Sequence, residues 1–286
     1  MRKLFLIILL LVSLLSIGQT PMHKLIPKKA ITNYDPDAQA YFTAWESATS
    51  STMPTSAKGY FNTYVLALKS NGIWAKIGTG DIAPFYNSTA AGQAVTLLGN
   101  ATLTFVGSPT HSSTGVDWDG ATQYATTNWT PPNATQVSIG YYAGDASVGT
   151  STRYEMGTNS GSSWLGIRIR STATNSQGLG YSATITSTVA NANYDGFFVY
   201  SKENNSKNFL QRNGSTLATN TGTNSTAAPT LQLYLGCLND DGSPNLYSPN
   251  QCRFSFWFDE GLTEAEATIL NTLTETLMDA LGRGLQ

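Results

Sequence analysis

The chain has 286 residues, only 12% of them charged, with a formal net charge of −2. Ser, Thr, Asn and Gly replace charge as the solvating groups, a composition suited to extracellular β-proteins. Apart from the short stretch Lys24–Lys29, read as solvated leader, no Lys/Arg cluster occurs, which excludes an electrostatic footprint for nucleic acid.

In chain order, Arg2 and Lys3 precede the apolar run from Leu4 to Val12, which continues through Leu14, Leu15 and Ile17 before the small residues Ser16 and Gly18. A charged start, a short apolar stretch and small residues before a cut predict a signal peptide over 1–18. The run falls short of the roughly 20 apolar residues of a membrane-spanning helix, so an uncleaved anchor is the lesser alternative. A secreted or cell-surface protein is expected, with a virion surface as the alternative, and membrane contact through this segment alone. Residues 19–34 read as a flexible leader, and a helical preface is expected over 35–90.

Asp35-Pro36-Asp37 offers an N-cap with proline at the first helical position, and Tyr41, Phe42, Trp45 and Ala48 follow at helical spacing, predicting a helix over 37–49. A second helix is predicted over 56–69, with Tyr60, Phe61, Tyr64, Val65 and Leu68 on one stripe and Asn71-Gly72 as its stop. Together they form a helical hairpin.

From Gly92 to Asp259 short alternating runs are separated by turn dipeptides such as Asp119-Gly120, Asn213-Gly214 and Asp241-Gly242. This is the signature of a mainly β protein, an antiparallel two-sheet jelly-roll sandwich over 91–286. Predicted strands are 94–98, 102–106, 114–118, 122–126, 136–143, 164–171, 180–186, 195–202, 208–212, 231–237 and 252–258. Period-two alternation puts Leu165, Ile167 and Ile169 on a core face with Trp164, Arg168 and Arg170 opposite. In 231–237 the core face is Leu231, Leu233, Leu235 and Cys237, and in 252–258 it is Cys252, Phe254, Phe256 and Phe258, leaving Arg253 and Trp257 outside. Shared parity favours a disulfide between Cys237 and Cys252, with a pair of buried thiols as the alternative. A C-terminal helix starts at a capping box of Thr263 and Glu266, with Ala265, Ile269, Leu273, Leu277 and Leu281 as its expected apolar stripe.

Three segments together resemble the concanavalin A-like lectin/glucanase superfamily in its laminin-G or pentraxin-like form. They are Val116–Tyr124, a strand, turn and strand with Asp119-Gly120; Asp195–Thr216, with Phe197–Tyr200 as central strand and Leu210–Ser215 as hairpin; and Leu233–Gly236 with Arg253–Asp259 and Gly261–Glu266. In addition, Ala67–Ile77 with Pro84-Phe85-Tyr86 resembles a helical preface of bacterial surface and tailed-phage structural proteins. The resemblance implies carbohydrate recognition, attachment, or a place in a surface or virion assembly.

A glycosidase of that superfamily carries two carboxylates on one strand face. The nearest pair, Asp117 and Asp119, sits at a turn that Asp119 is suited to cap. His23 falls in the leader and His111 is read as a loop residue. No G-x-S-x-G motif marks a serine nucleophile. Calcium stays open as a cofactor, since its oxygen ligands can come from loops, with Asp117, Asp119, Asp240 and Asp241 as candidates; for Asp240-Asp241-Gly242 the alternative is a plain hairpin turn.

Outward-facing Trp164, Arg168, Arg170, Tyr234, Arg253 and Trp257, with Trp129, Tyr142 and Tyr181 from loops, could stack on sugar rings and bond their hydroxyls. The alternative is that helices cover this face. The expected function is a non-catalytic carbohydrate-binding or adhesion protein whose partner is a glycan or surface polysaccharide. A self-associating structural subunit of a phage particle or cell-surface assembly is the alternative, ahead of a glycoside hydrolase or polysaccharide lyase.

Overall fold

The computed structural model describes residues 33–132, 135–144, 152–170, 175–181, 183–190, 195–222 and 227–285. The expected signal peptide, and the leader up to residue 32, lie outside these. No helix among the described residues is long and apolar enough to cross a membrane.

Helix α1 (Pro36–Thr49) starts where Asp35 accepts a hydrogen bond from Asp37 N at 3.0 Å, and α2 (Thr55–Ser70) returns antiparallel to it. Lys69, near the end of α2, clamps the pair by reaching Asp35 at 2.7 Å and Asp37 at 2.6 Å. The strands then begin with β1 (Asp81–Ala83), followed by the one-turn helix α3 (Ala90–Gln93). Next come β2 (Thr104–Val106), β3 (Thr110–His111), β4 (Val116–Asp117), β5 (Tyr124–Thr126), β6 (Val137–Gly144), β7 (Met156–Ser160) and β8 (Ser163–Arg168). The second half adds β9 (Asn175–Gly180), β10 (Ala183–Ala190), β11 (Gly196–Asn204), β12 (Lys207–Arg212) and β13 (Ser215–Asn220). The chain closes with β14 (Tyr234–Leu235), β15 (Leu238–Asp240), β16 (Ser243–Asn245), β17 (Gln251–Phe258) and helix α4 (Glu264–Ala280).

One sheet has the order β13-β12-β11-β6-β17-β4-β3, with β1 also on β17; the other runs β10-β9-β8-β7-β14-β5-β2, with β15 joining β7 and β16. The two-sheet architecture with an N-terminal helical pair and a C-terminal helix is therefore as the alternation predicted. Between the sheets lie Ile139, Tyr141, Phe198, Tyr200 and Trp257 of the first sheet against Met156, Leu165, Ile167 and Leu235 of the second. Tyr200 crosses β9, where a Cβ on Gly180 would run into its hydroxyl, so the glycines of Gln177-Gly178-Leu179-Gly180 make room for a ring.

A third layer covers the outer face of the first sheet. Helices α1, α2 and α4 pack there on Tyr142, Phe197, Val199, Phe209, Phe254, Phe256 and Phe258. Two face assignments change as a result. A register shift between Cys252 and Phe254 breaks the alternation of β17, so Cys252 joins the inter-sheet core while the three phenylalanines meet the helices. Trp257, expected outside, is 0% exposed in the inter-sheet core, because both faces of this strand are covered.

The expected disulfide is not formed: Cys237 and Cys252 are free, buried thiols. Gly236 has φ 81° and turns the chain between β14 and β15, so Cys237 leaves the face that Leu233 and Leu235 share. The predicted strand 180–186 overlaps β10 from Ala183 onward, its start being the junction of β9 and β10 where Tyr181 takes φ 50°.

Helix α4 has the capping box: Thr263 Oγ1 accepts from Glu266 N at 3.2 Å, and Thr263 N donates to Glu266 Oε2 at 2.7 Å. Thr263→Ala is expected to lower stability by about 1 kcal/mol in urea unfolding, with Thr263→Ser close to wild type. The stripe that α4 buries is Ala267, Leu270, Thr274, Leu277 and Met278, whereas Ile269 is 36% exposed. Strict fourfold spacing overshoots a 3.6-residue turn by roughly 40° per step, so residues 265 and 281 fall on nearly opposite sides of the helix.

Candidate ligand cleft

The second sheet forks at Gly157, which pairs with Tyr234 of β14 on one register and with Leu238 of β15 on another. Beyond the fork, the ends of β14 and β5 separate from the β15–β16 hairpin and leave a cleft of about 470 Å³. One wall is Asn128 and Thr130, another Thr230, Leu231 and Gln232, and Tyr234, Asn239 and Gly242 complete it.

Local chemistry explains each wall. Asn128 adopts φ 56°, a left-handed position that asparagine tolerates, and is itself exposed. Thr127 and Trp129 on either side are buried, and Trp129 Nε1 donates to Asp259 Oδ1 at 3.0 Å. Gln232 is held across from it, accepting at Oε1 from Asn128 N at 3.1 Å. Asp241 and Gly242 have φ 48° and 89° and form the two-residue turn of the β15–β16 hairpin, as the Asp-Gly pair predicted.

The lining is amide-rich and carries no lysine, arginine or carboxylate among its described residues. Tyr234 supplies a ring stacked on Tyr124 at 5.0 Å and 29° between planes. Burial pushes the Tyr234 hydroxyl above the usual phenol range. Asn239 is 2% exposed and donates through Nδ2 to Gln232 O at 2.8 Å, while its Oδ1 has no hydrogen-bond partner among the described residues. Such a surface offers donors, acceptors and an apolar plate without charge, the chemistry that recognises a neutral polyhydroxylated ligand.

The sequence-derived candidates divide into three groups. Tyr234 lines the cleft, and Trp129 sits beneath it in the inter-sheet core rather than as a loop contact. Trp164 and Arg168 lie on the outer face of the second sheet, beside Tyr154, Leu179, Leu238 and Leu246; the Arg168 guanidinium stacks on the Tyr154 ring at 4.2 Å and donates to Gln177 Oε1 at 3.0 Å. Arg170 follows β8 and is half-buried. Arg253 and Trp257 are corrected as ligand contacts: Trp257 is core, and Arg253 donates to Gln251 Oε1 at 2.8 Å and Arg283 O at 2.9 Å, tying β17 to the C-terminal tail. Tyr142 faces the helices and Tyr181 is buried between the sheets. Alternation along single strands could not find Asn128, Gln232 or Asn239, since their convergence depends on the fork; the Asn128-Trp129 and Asp241-Gly242 turn signals were the traces available.

The calcium candidates are each occupied by protein donors. Asp119 Oδ1 accepts from the amides of Ala121, Thr122 and Gln123 at 2.9, 2.8 and 2.9 Å, and Oδ2 from Thr122 Oγ1 at 2.6 Å. Partial burial raises its pKa, but these hydrogen bonds outweigh burial and hold it at about 2. Asp117 accepts from Gln251 Nε2 at 2.8 Å, Asp240 from Asn159 Nδ2 at 2.6 Å and Asp241 from Gly161 N at 2.8 Å. Among the described residues no three or more His, Cys, Asp or Glu side chains gather as a metal cluster.

The fold defines the chain as an antiparallel two-sheet sandwich with helical cover. No protein-family model matches its sequence, and no curated protein does. Among solved structures it is similar to a mutant of Trypanosoma rangeli sialidase displaying trans-sialidase activity, with TM-score 0.51 and 12% identity over 79% of this chain and 39% of that one. It also resembles the botulinum neurotoxin serotype C1 binding domain (TM-score 0.45, 13% identity, 60% and 47% of the two chains) and NanB sialidase from Streptococcus pneumoniae (0.37, 10%, 49% and 26%). The chain thus spans less than half of each.

These likenesses concern fold, and they correct the expected function. The non-catalytic binding or adhesion role was inferred from kinship with lectin sandwiches, but the fold is similar to that of a sialidase chain, which is an enzyme. Sandwich architecture therefore does not assign a non-catalytic role, and that reading is set aside together with the structural-subunit alternative that rested on the same kinship.

Proposed function

We propose that the chain is the saccharide-holding sandwich of a glycan-processing protein, with the cleft at the β14–β15 fork as a subsite for a neutral sugar. The observation that carries this reading is the uncharged lining, in which Tyr234 is gathered with the amide residues Asn128, Gln232 and Asn239. A volume of about 470 Å³ suits one or two sugar rings, within the range of roughly 300–1,000 Å³ found for ligand sites. Similarity in fold to a sialidase chain is compatible with this setting, although the absence of arginine from the described lining favours a neutral sugar over an anionic one such as sialic acid. Concanavalin A-like kinship belongs to the same proposal.

Isothermal titration of the full chain with neutral and sialylated oligosaccharides tests it. Binding of a neutral oligosaccharide is expected, weakened about tenfold, or ~1.4 kcal/mol, by Tyr234→Ala and by the milder Gln232→Ala. Trp164→Ala, on the outer sheet face, should leave affinity unchanged. Loss of binding with Trp164→Ala and not with Gln232→Ala would move the site to the Trp164–Tyr154–Arg168 face, and no saccharide binding at all would end the proposal.

A further inference from the structure

Away from the cleft, four backbone carbonyl oxygens converge on one side-chain nitrogen. Gln93, at the end of α3, is 0% exposed; its Nε2 lies 3.2 Å from Phe85 O, 2.8 Å from Ser112 O and 3.3 Å from Gly115 O, and also contacts Asn87 O. A primary amide has two hydrogens to donate, so it cannot serve four acceptors. Ser112 O already accepts from Gly115 N at 3.3 Å, and Gly115 O accepts from Ser112 N at 2.9 Å and from Ser112 Oγ at 3.0 Å, so these two carbonyls are shared with donors of their own loop.

One residue, Phe85, is held in a costly conformation to achieve this. Phe85 has φ 45°, Asn87 φ 82° and Gly115 φ 157°, so three of the four carbonyl-bearing residues have positive φ. For a side chain as bulky as Phe85 this is an outlier, and such outliers gather at ligand clamps. On the far side of the amide, His111 Nδ1 lies 2.6 Å from Gln93 Oε1, which keeps Nε2 aimed at the carbonyls.

A buried point faced by four carbonyl dipoles is a place for positive charge, as in carbonyl-lined ion filters. Its charge class follows from its surroundings. The four oxygens are neutral, and the adjacent carbonyls of Pro84 and Thr114 accept from the Arg283 guanidinium at 2.9 Å each, so a fixed positive charge is already near. Calcium prefers carboxylate-containing sets at roughly 2.3–2.6 Å, tighter than the spacing to the carbonyls of Phe85, Ser112 and Gly115. We propose that the carbonyls of Phe85, Asn87, Ser112 and Gly115 form a site for a monovalent cation of potassium size, whose place the Gln93 amide takes when the ion is absent.

Thermal unfolding of the full chain in potassium chloride and in choline chloride, at matched ionic strength, tests this. For wild type a rise in Tm of about 3 °C in potassium is expected. In Gln93→Ala, which removes the competing amide and leaves the carbonyls facing one another, Tm should fall in choline and recover in potassium, so its potassium response exceeds that of wild type. Equal Tm values in the two salts for both proteins would overturn the proposal, as would a larger rise with calcium chloride. Should Gln93→Ala fail to fold in either salt, wild-type crystals grown in rubidium chloride decide: an anomalous peak about 3 Å from the four oxygens supports the site, and its absence overturns it.

Discussion

Replacing Trp257 by alanine is expected to lower the stability of the chain by about 3–5 kcal/mol, the cost of emptying a fully buried aromatic site. The side chain is 0% exposed between the sheets, on the strand that lies against β6, β4 and β1 together, so the walls of the cavity cannot collapse inward without moving three strand pairings. Its indole Nε1 is buried without a hydrogen-bond partner among the described residues. Trp257→Phe discards that unpaired donor while filling most of the volume and should therefore cost far less than alanine. Urea unfolding of both variants checks this. An alanine variant with wild-type stability and altered ligand binding would restore Trp257 to the ligand-contact role its parity suggested.

The second large effect concerns pH. Glu155 is 1% exposed, and burial pushes its carboxyl up to about 7, against the opposing hydrogen bonds from Ile169 N at 2.7 Å, Asn250 Nδ2 at 2.8 Å and Ser248 Oγ at 3.4 Å. The folded pKa lies above the unfolded value of 4.5, so the folded state holds the proton more tightly. The stabilisation this provides is complete below pH 4.5 and is lost as pH rises through about 7. Its full extent is on the order of 3 kcal/mol. Between pH 5 and pH 8.5 this contribution should fall in wild type, and in Glu155→Gln the part of the slope due to this group should vanish. Glutamine is accommodated because Asn250 Oδ1 has no partner among the described residues and can receive its amide after a flip of the Asn250 side chain. Identical pH slopes for the two proteins in urea unfolding would show that Glu155 is not the titrating group. Asp81 is raised in the same direction by burial.

What was legible in the sequence was local in origin. The Asp35-Pro36 helix start, the Thr263–Glu266 capping box and the Asn213-Gly214 and Asp241-Gly242 turns depend on residues a few positions apart, and each occurs where its spacing predicted. Polar strands such as β13 and β16 carry little apolar alternation and left no such signal. The candidate contacts fared unevenly for a related reason. Alternation correctly separated Leu165 and Ile167 from Trp164 and Arg168, but in β17 it could not say whether the second face met water or helices.

By itself, then, the amino-acid sequence determined that strands dominate and where the helices and the capped or apolar-alternating strands lie, because hydrogen-bonded turns, caps and period-two burial are short-range properties. Only the tertiary structure decided that the first sheet is buried on both faces, that Cys237 and Cys252 stay apart as thiols, and that Asn128, Gln232, Tyr234 and Asn239 share one cleft. Those outcomes depend on a bulge in β17, a left-handed glycine after β14 and a fork at Gly157, where a shift of one residue changes which side chains meet across distant parts of the chain.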